Sequence, residues 1–485
     1  MNSVKMETLK EKTAKGLFWG MMNNGTMQLL NIVLGIFLAR LLSPADYGLV
    51  GMLAIFTAIA SALQESGFTA ALANKRAPTD NEYNAVFWFS VLVSFSLYAA
   101  LFLCAPLIAA FYRQPELTAL ARMVFLTLPV SALGTAPTAW LFKRMAVRET
   151  TLLRVSSLLV SGVVGITLAL RGHAYWSLAW QQLTYVTLTS LGRFFLISWR
   201  PSWRVDFKPI REMFAFSYKI LITTIVNTLS QNVLTVIFGR LFPAKTVGNF
   251  SQAFKWDTMA SSFISGTVAQ VAQPVLVEIR DDQGRQAHVF RKMLRFTAFL
   301  SFPAMFGLAM VSHEFILVTI TDKWIDSVPL LRVLCVGGAF LPFYTMYQNL
   351  VISRGRSDIY MWCTLALIAS QIASVLLTAP YGVMVMVAVY TLLTILWLLA
   401  WHWFAHRLIG LRLLDVLRDL LPFCLLSLAV MAFTYWITRP IHSLPLLLLA
   451  RFLLAGILYL GALKVLHAQV LEECLAFAKR KRGKA

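Results

Sequence analysis

The chain has 485 residues, of which 58% are hydrophobic and 13% charged, and its formal net charge is +21. Soluble domains average about 25% charged residues; with a mean hydropathy of +0.69, composition excludes a soluble globular fold and indicates an all-α polytopic membrane protein. Apolar runs of about twenty residues also exclude an outer-membrane β-barrel, whose strands alternate over about ten.

The first run, 16–39, lies between Lys15 and Arg40 and contains no Asp, Glu, Lys or Arg. As a helix rising about 1.5 Å per residue it reaches about 36 Å, enough to cross a hydrocarbon core of about 30 Å. It is too long for a secretory signal and lacks a small-residue cleavage pattern, so it reads as the first span. Thirteen further candidate spans follow at 46–65, 85–110, 118–140, 155–171, 175–197, 213–239, 246–270, 296–320, 328–352, 360–379, 382–405, 420–438 and 445–466. The loops between them are short, so no soluble domain is available for a nucleotide site, and no GxxxxGK[ST] occurs.

Charge assigns the orientation. With the N-terminus inside, thirty Lys and Arg fall on inner segments, from Lys5, Lys10, Lys12 and Lys15 to the tail at 479–484. Eight fall at outer ends: Arg40, Arg113, Arg122, Arg171, Arg240, Lys245, Lys323 and Arg439. This is a positive-inside pattern with both termini cytoplasmic. The basic residues therefore read as topology signals and contacts with anionic lipid, and no nucleic-acid partner is expected. Cys104, Cys335, Cys363, Cys424 and Cys474 have no metal spacing and read as small buried hydrophobes. No metal, no cofactor and no enzymatic site is expected.

A parallel repeat appears at an offset of 200: Val33-Leu34, Arg40-Leu41, Gly48 and Ala60-Ser61 match Val233-Leu234, Arg240-Leu241, Gly248 and Ala260-Ser261. Six spans separate the copies, which gives two six-helix lobes, 1–200 and 211–406, followed by two extra helices and a basic tail, 407–485. Transporters built on such repeats hold substrate between the halves.

The repeat carries polar stripes. On the first span Asn24, Gln28, Asn31 and Gly35 share one helical face, widened by Asn23; the counterparts on the seventh are Thr224, Thr228, Gln231 and Thr235, widened by Asn227 and Asn232. Such stripes either line a hydrophilic cavity or hold helices together by hydrogen bonds of about 0.6–2 kcal/mol. On the eighth span Ser251, Lys255, Thr258, Ser262 and Ser265 form a third stripe. Lys255 sits about nine residues, or about 13 Å, into the membrane. An ammonium facing lipid at such a depth costs at least about 3 kcal/mol, so it is expected to face a cavity or an anion. Asp257 points to a different face of the same helix and is a candidate coupling-ion site or interhelical counter-ion. Lys219, Arg193, Arg332, Arg451 and Arg122 read as snorkelling or surface-paired cations, with Glu65 of the same standing. Trp19, Trp88, Trp176, Trp199 and Trp401 read as interfacial anchors.

The segments KTAKGLFWG…NIVLGIFLARLLSPADYGLVG at 12–51, VLVEIRDD at 275–282, PLLRVLCVGG at 329–338 and SRGRSDIY at 353–360 resemble bacterial polysaccharide exporters. These form the colanic-acid and lipopolysaccharide-exporter branch of the multidrug/oligosaccharidyl-lipid/polysaccharide (MOP) flippase superfamily, and the resemblance covers nearly the whole chain. It implies an inner-membrane flippase for an undecaprenyl-pyrophosphate-linked oligosaccharide, working by alternating access. It also implies that membrane lipids, and a polymerase and glycosyltransferases of the same pathway, are its partners. The mapped cavity residues are those of the three stripes. The alternatives are a drug or cation antiporter of the same superfamily and, with less support from the short outer loops, a membrane glycosyltransferase or polymerase acting on the same carrier.

Overall fold

The computed structural model describes residues 9–65, 67–75, 78–203 and 206–473; Cys474 and the basic tail at 479–484 lie outside them. Eighteen α-helices are found there: α1 (Leu9–Leu41), α2 (Pro44–Glu65), α3 (Phe68–Asn74), α4 (Asp80–Tyr112), α5 (Leu117–Phe125), α6 (Thr127–Ala132), α7 (Thr135–Lys143), α8 (Val147–Leu170), α9 (Trp176–Leu196), α10 (Lys208–Leu241), α11 (Ala244–Glu278), α12 (Gln283–Ile320), α13 (Ser327–Gly338), α14 (Leu341–Ser353), α15 (Ser357–Thr378), α16 (Val383–Ile409), α17 (Leu413–Ile437) and α18 (Leu444–Val465). Every expected span is helical. Among the described residues nine segments are long and apolar enough to cross a membrane, and ten if the bent α5–α7 segment counts as one. The expected spans outside that set are α1, α9, α10 and α11, three of which carry the polar stripes.

Local chemistry sets the ends. Thr79 caps α4 in a reciprocal capping box with Glu82, and the Asp282 carboxylate accepts from Arg285 N–H at the start of α12. Gly410 closes α16 in the left-handed region, at φ 68°, where a Cβ would be strained. The fourth span is broken in both halves of the chain. α5–α6 and α7 meet at a 43° bend around Leu133–Gly134, and α13 and α14 meet at Ala339–Phe340 just before Pro342.

The repeat also meets itself. A Cβ placed on Gly48 would lie 1.9 Å from the Ala244 carbonyl oxygen, and one on Gly248 would lie 1.7 Å from that of Pro44. Positions 44 and 48 therefore touch 244 and 248 reciprocally, and only glycine allows the two helix starts to approach so closely.

The chain divides into two compact units, Met1–Gly248 and Asn249–Ala485. In the first, α10 packs on α2, α3 and α4, α1 packs on α8, and α8 packs on α9. The loop after α9 is strapped to α4: Ser202 N–H donates to Asn84 Oδ1 at 2.8 Å and Trp88 Nε1–H donates to Ser202 O at 2.7 Å. Beneath it Phe68, Leu72, Phe87 and Trp199 form a buried cluster.

In the second unit α17 and α18 pack on α12. An apolar cavity of about 790 Å³ lies among those three helices, lined by Pro303, Val311, Phe315, Met431, Phe452 and Tyr459. Leu103, Leu107, Phe263, Leu377 and Phe452 are exposed, as expected where lipid replaces water.

Three expectations are corrected. Arg451 is neither snorkelling nor surface-paired: it is 4% exposed and its Nη1 lies 2.8 Å from Glu314 Oε2. Trp199 and Trp401 are buried core residues rather than interfacial anchors, because each sits under neighbouring elements instead of at a helix rim. Cys104 is exposed, on a face of α4 that no other helix covers.

Candidate functional site

The first unit supplies two of the stripes. On α1, Met27 and Leu34 are buried against Leu158 of α8, while the adjacent flank leaves Gln28 and Asn31 exposed and without a hydrogen bond among the described residues. A Cβ on Gly162 would lie 2.5 Å from Leu34, so the α1–α8 contact is made by apolar and small residues. Neither Gln28 nor Asn31 adds a hydrogen bond to the α1–α8 contact among the described residues. The side chains of Asn23 and Asn24 lie outside the described residues.

On α10 the buried face, with Met213, Leu234 and Phe238, is turned to its packing partners. Thr224 is exposed and Thr228 half-buried. Asn232 Nδ2 donates to the Thr228 carbonyl at 2.9 Å, a bond within its own helix rather than to a neighbour. The side chains of Lys219, Asn227 and Gln231 lie outside the described residues.

The second unit supplies the third stripe. Lys255 is half-buried on α11, eleven residues from its start, and has no hydrogen bond or ion pair among the described residues. At about 1.5 Å per residue that is about 16 Å along the helix. Thr258 and Ser262 are exposed, and the Ser262 hydroxyl donates to the Met259 carbonyl at 3.3 Å. Ser251 Oγ is shut away from the surface without a partner among the described residues, as are Asn249 Oδ1, Gln252 Nε2 and Trp256 Nε1.

Each such buried orphan costs about 1–3 kcal/mol. Together with Asp257, they put five of the described residues' buried unpartnered side-chain atoms between 249 and 257. Asn249 and Gln252 were not singled out from sequence, although their spacing of three places them on one face.

Asp257 is 3% exposed, and its Oδ1 has no hydrogen-bond partner among the described residues. It does not pair with Lys255. A Cβ on Gly338 would lie 2.1 Å from that oxygen and 2.6 Å from Met305 Cε, so glycine at the end of α13 is what leaves room for the carboxylate. The neighbouring Gly337 faces Thr391 of α16, whose Oγ1 is also buried and unpartnered. Asp257 and Thr391 thus lie beside successive glycines at the end of α13, each with a buried side-chain oxygen that has no partner among the described residues.

A family model described as "Polysaccharide biosynthesis protein" matches residues 37–329, more than half of the chain. The lipopolysaccharide biosynthesis protein WzxC of Escherichia coli (strain K12) is 23% identical over 358 residues, covering 73% of this chain and 72% of that one. The succinoglycan biosynthesis transport protein ExoT of Rhizobium meliloti (strain 1021) is 21% identical over 485 residues, covering 99% of this chain and 98% of that one. Among solved structures, the lipid II flippase MurJ in an inward closed conformation superposes with a TM-score of 0.73 at 14% identity, covering 94% of this chain and all of the other. That likeness establishes the fold.

Proposed function

The chain belongs to the polysaccharide biosynthesis protein family, and from that premise we propose that it is a flippase. Its substrate is an undecaprenyl-pyrophosphate-linked oligosaccharide, a repeat unit of O-antigen, capsule or exopolysaccharide. It moves this unit across the bacterial inner membrane by alternating access of lobes 1–200 and 211–406, with 407–485 accessory and both termini cytoplasmic. The protein performs no covalent chemistry; glycosyltransferases of the pathway supply its cargo and a polymerase consumes it. The polar faces of α1, α10 and α11 receive the head group: Asn23, Asn24, Gln28 and Asn31; Thr224, Asn227, Thr228 and Gln231; Ser251, Lys255, Thr258 and Ser262. The prenyl tail stays in lipid.

The observation that carries this reading is Lys255, an unpaired lysine far along a membrane helix beside a run of orphaned buried polar atoms. An ammonium in that position is stabilised by an anionic head group and by little else in a bilayer. The energetics favour the direction of transport. A pyrophosphate diester carries about two negative charges, and an inside-negative potential favours outward movement by about 2.3 kcal/mol per charge per 100 mV. What the protein must lower is the cost of stripping water from the head, and a hydrated basic path does so. Asp257, buried and unpartnered, is the coupling-ion site in this reading.

The test is Lys255→Ala in a strain that lacks the chromosomal copy. Surface polysaccharide is expected to fall by an order of magnitude or more at unchanged membrane abundance, with Lys255→Arg retaining much of it. Normal export by the alanine variant sinks the assignment of Lys255. Saturable drug efflux by the purified protein, with no effect of its deletion on glycan export, would move the reading to an antiporter.

A further inference from the structure

Several cations of the first unit have partners. Lys75 pairs with Glu82, Lys143 donates to the Lys75 carbonyl, and Arg144 lies over the Trp140 ring at 3.4 Å. Arg200 donates to the carbonyls of Ile197 and Trp199 at 2.6 and 2.9 Å. Arg193 on α9 and Arg154 on α8 behave differently: both are half-buried, and neither has a hydrogen bond or an ion pair among the described residues. The charged neighbour within electrostatic reach of Arg193 is Arg154 itself, with the Tyr185 phenol beside them.

The guanidinium of Arg193 lies over the break between α6 and α7. A Cβ on Gly134 would be 2.4 Å from Arg193 Nη1 and 3.1 Å from Ser190 Oγ. Gly134 lies in the bend between α6 and α7, where the same Cβ would be 3.3 Å from the Ser131 carbonyl oxygen, so the negative end of α6 offsets the positive end of α7. The nearby amide does not relieve the guanidinium charge. Gln64 Nε2 donates to Thr135 Oγ1 at 2.8 Å, and Gln64 Oε1 accepts from Ser131 Oγ at 2.7 Å. Two guanidinium groups therefore lie within electrostatic reach of each other, with no carboxylate paired to either among the described residues. Like charges held together in a low dielectric repel strongly, and an anion reverses the sign of every one of these terms. The planar fork of arginine matches phosphate oxygens two at a time.

We propose that Arg193, over the α6–α7 break, and Arg154 beside it form a phosphate-binding site for a lipid head group entering from the inner leaflet. The site is carried by α8 and α9, and Val155 and Tyr185 beside it pack against the cluster of Met27, Leu34 and Leu158. The shared chemistry is a phosphoryl group on a lipid, borne either by a glycerophospholipid or by the polyprenyl pyrophosphate carrier. The second source rests on the flippase reading.

The test measures binding to the purified full-length protein in neutral-lipid nanodiscs, with undecaprenyl pyrophosphate, phosphatidylglycerol and phosphatidylethanolamine as probes. Arg193→Gln and Arg154→Gln are each expected to weaken pyrophosphate binding about ten- to hundredfold. Gly134→Ala keeps both charges but displaces the guanidinium, and is expected to weaken it about three- to tenfold. An equal loss for phosphatidylglycerol assigns the site to anionic head groups in general; a loss confined to the pyrophosphate assigns it to the carrier. Unchanged binding of both anionic lipids in Arg154→Gln and Gly134→Ala, at unchanged melting temperature, overturns the proposal even if Arg193→Gln does not fold. Failure of the flippase reading shows elsewhere, as normal glycan export in a deletion strain.

Discussion

Replacing Glu314 by Ala should release the C-terminal helix pair from α12. Glu314 is 7% exposed, and its Oε2 lies 2.8 Å from Arg451 Nη1. Arg451 Nε also donates to Thr438 Oγ1 at 3.1 Å, and its guanidinium lies 4.4 Å from the Tyr435 ring centroid. Removing the carboxylate leaves those two contacts but strands a buried positive charge. Breaking a buried pair from one side costs about 3–5 kcal/mol, and an uncompensated arginine inside the membrane costs about 2.5–3.5 kcal/mol. The two ranges meet near 3 kcal/mol. We therefore expect Glu314→Ala to weaken docking of α18 by about 3 kcal/mol, roughly a hundredfold in its local opening equilibrium.

Hydrogen exchange along α18 and thermal melting followed by size-exclusion fluorescence read this directly. Exchange should rise in 444–465 and the melting temperature should fall. The double variant Glu314→Leu, Arg451→Leu removes both charges together and should recover most of the loss. Wild-type exchange and melting in Glu314→Ala would refute the reasoning, since an ion pair that can be halved without effect is not holding the helix.

Other outcomes follow from single contacts. Gly248→Ala puts a Cβ where the Pro44 carbonyl oxygen now lies, 1.7 Å away, and should destabilise the contact of the two repeats by about 1–3 kcal/mol. Its melting temperature should fall below that of wild type, and an unchanged melt would exclude the close approach. Asp257→Asn should leave the fold intact and remove the dependence of transport on an ion gradient, and retention of that dependence in reconstituted vesicles would remove Asp257 from coupling. Gly338→Ala presses a Cβ to 2.1 Å from the same carboxylate and should impair transport as Asp257→Asn does. Asp419 accepts from Arg291 Nε and Nη2 at 2.7 and 3.3 Å at the base of α17. Asp419→Asn should lower the melting temperature, and an unchanged melt would show that this pair contributes nothing measurable.

Hydropathy and charge placement alone determined the all-α membrane class and the stretches that form helices, while the repeat at an offset of 200 was read from matching residues. These are one-dimensional signals: a span needs a certain run of apolar residues, and a cation at its end acts on orientation whatever its neighbours are. The stripes of α1 and α11 were legible for the same reason, because helical period puts residues on a face before any packing occurs.

What lies opposite a face depends on the fold. Arg451, Arg193 and Lys255 look alike in sequence, each a lone cation in an apolar run. The structure gives the first a buried carboxylate from another helix, the second another arginine within electrostatic reach, and the third no partner at all among the described residues. Gly338 shows the same division. Its place in PLLRVLCVGG was plain, but that it makes room for Asp257, 81 residues earlier in the chain, could come only from tertiary structure. Charge pairing and steric room depend on distances of a few ångströms between segments remote in sequence, and those distances exist only once the helices have packed.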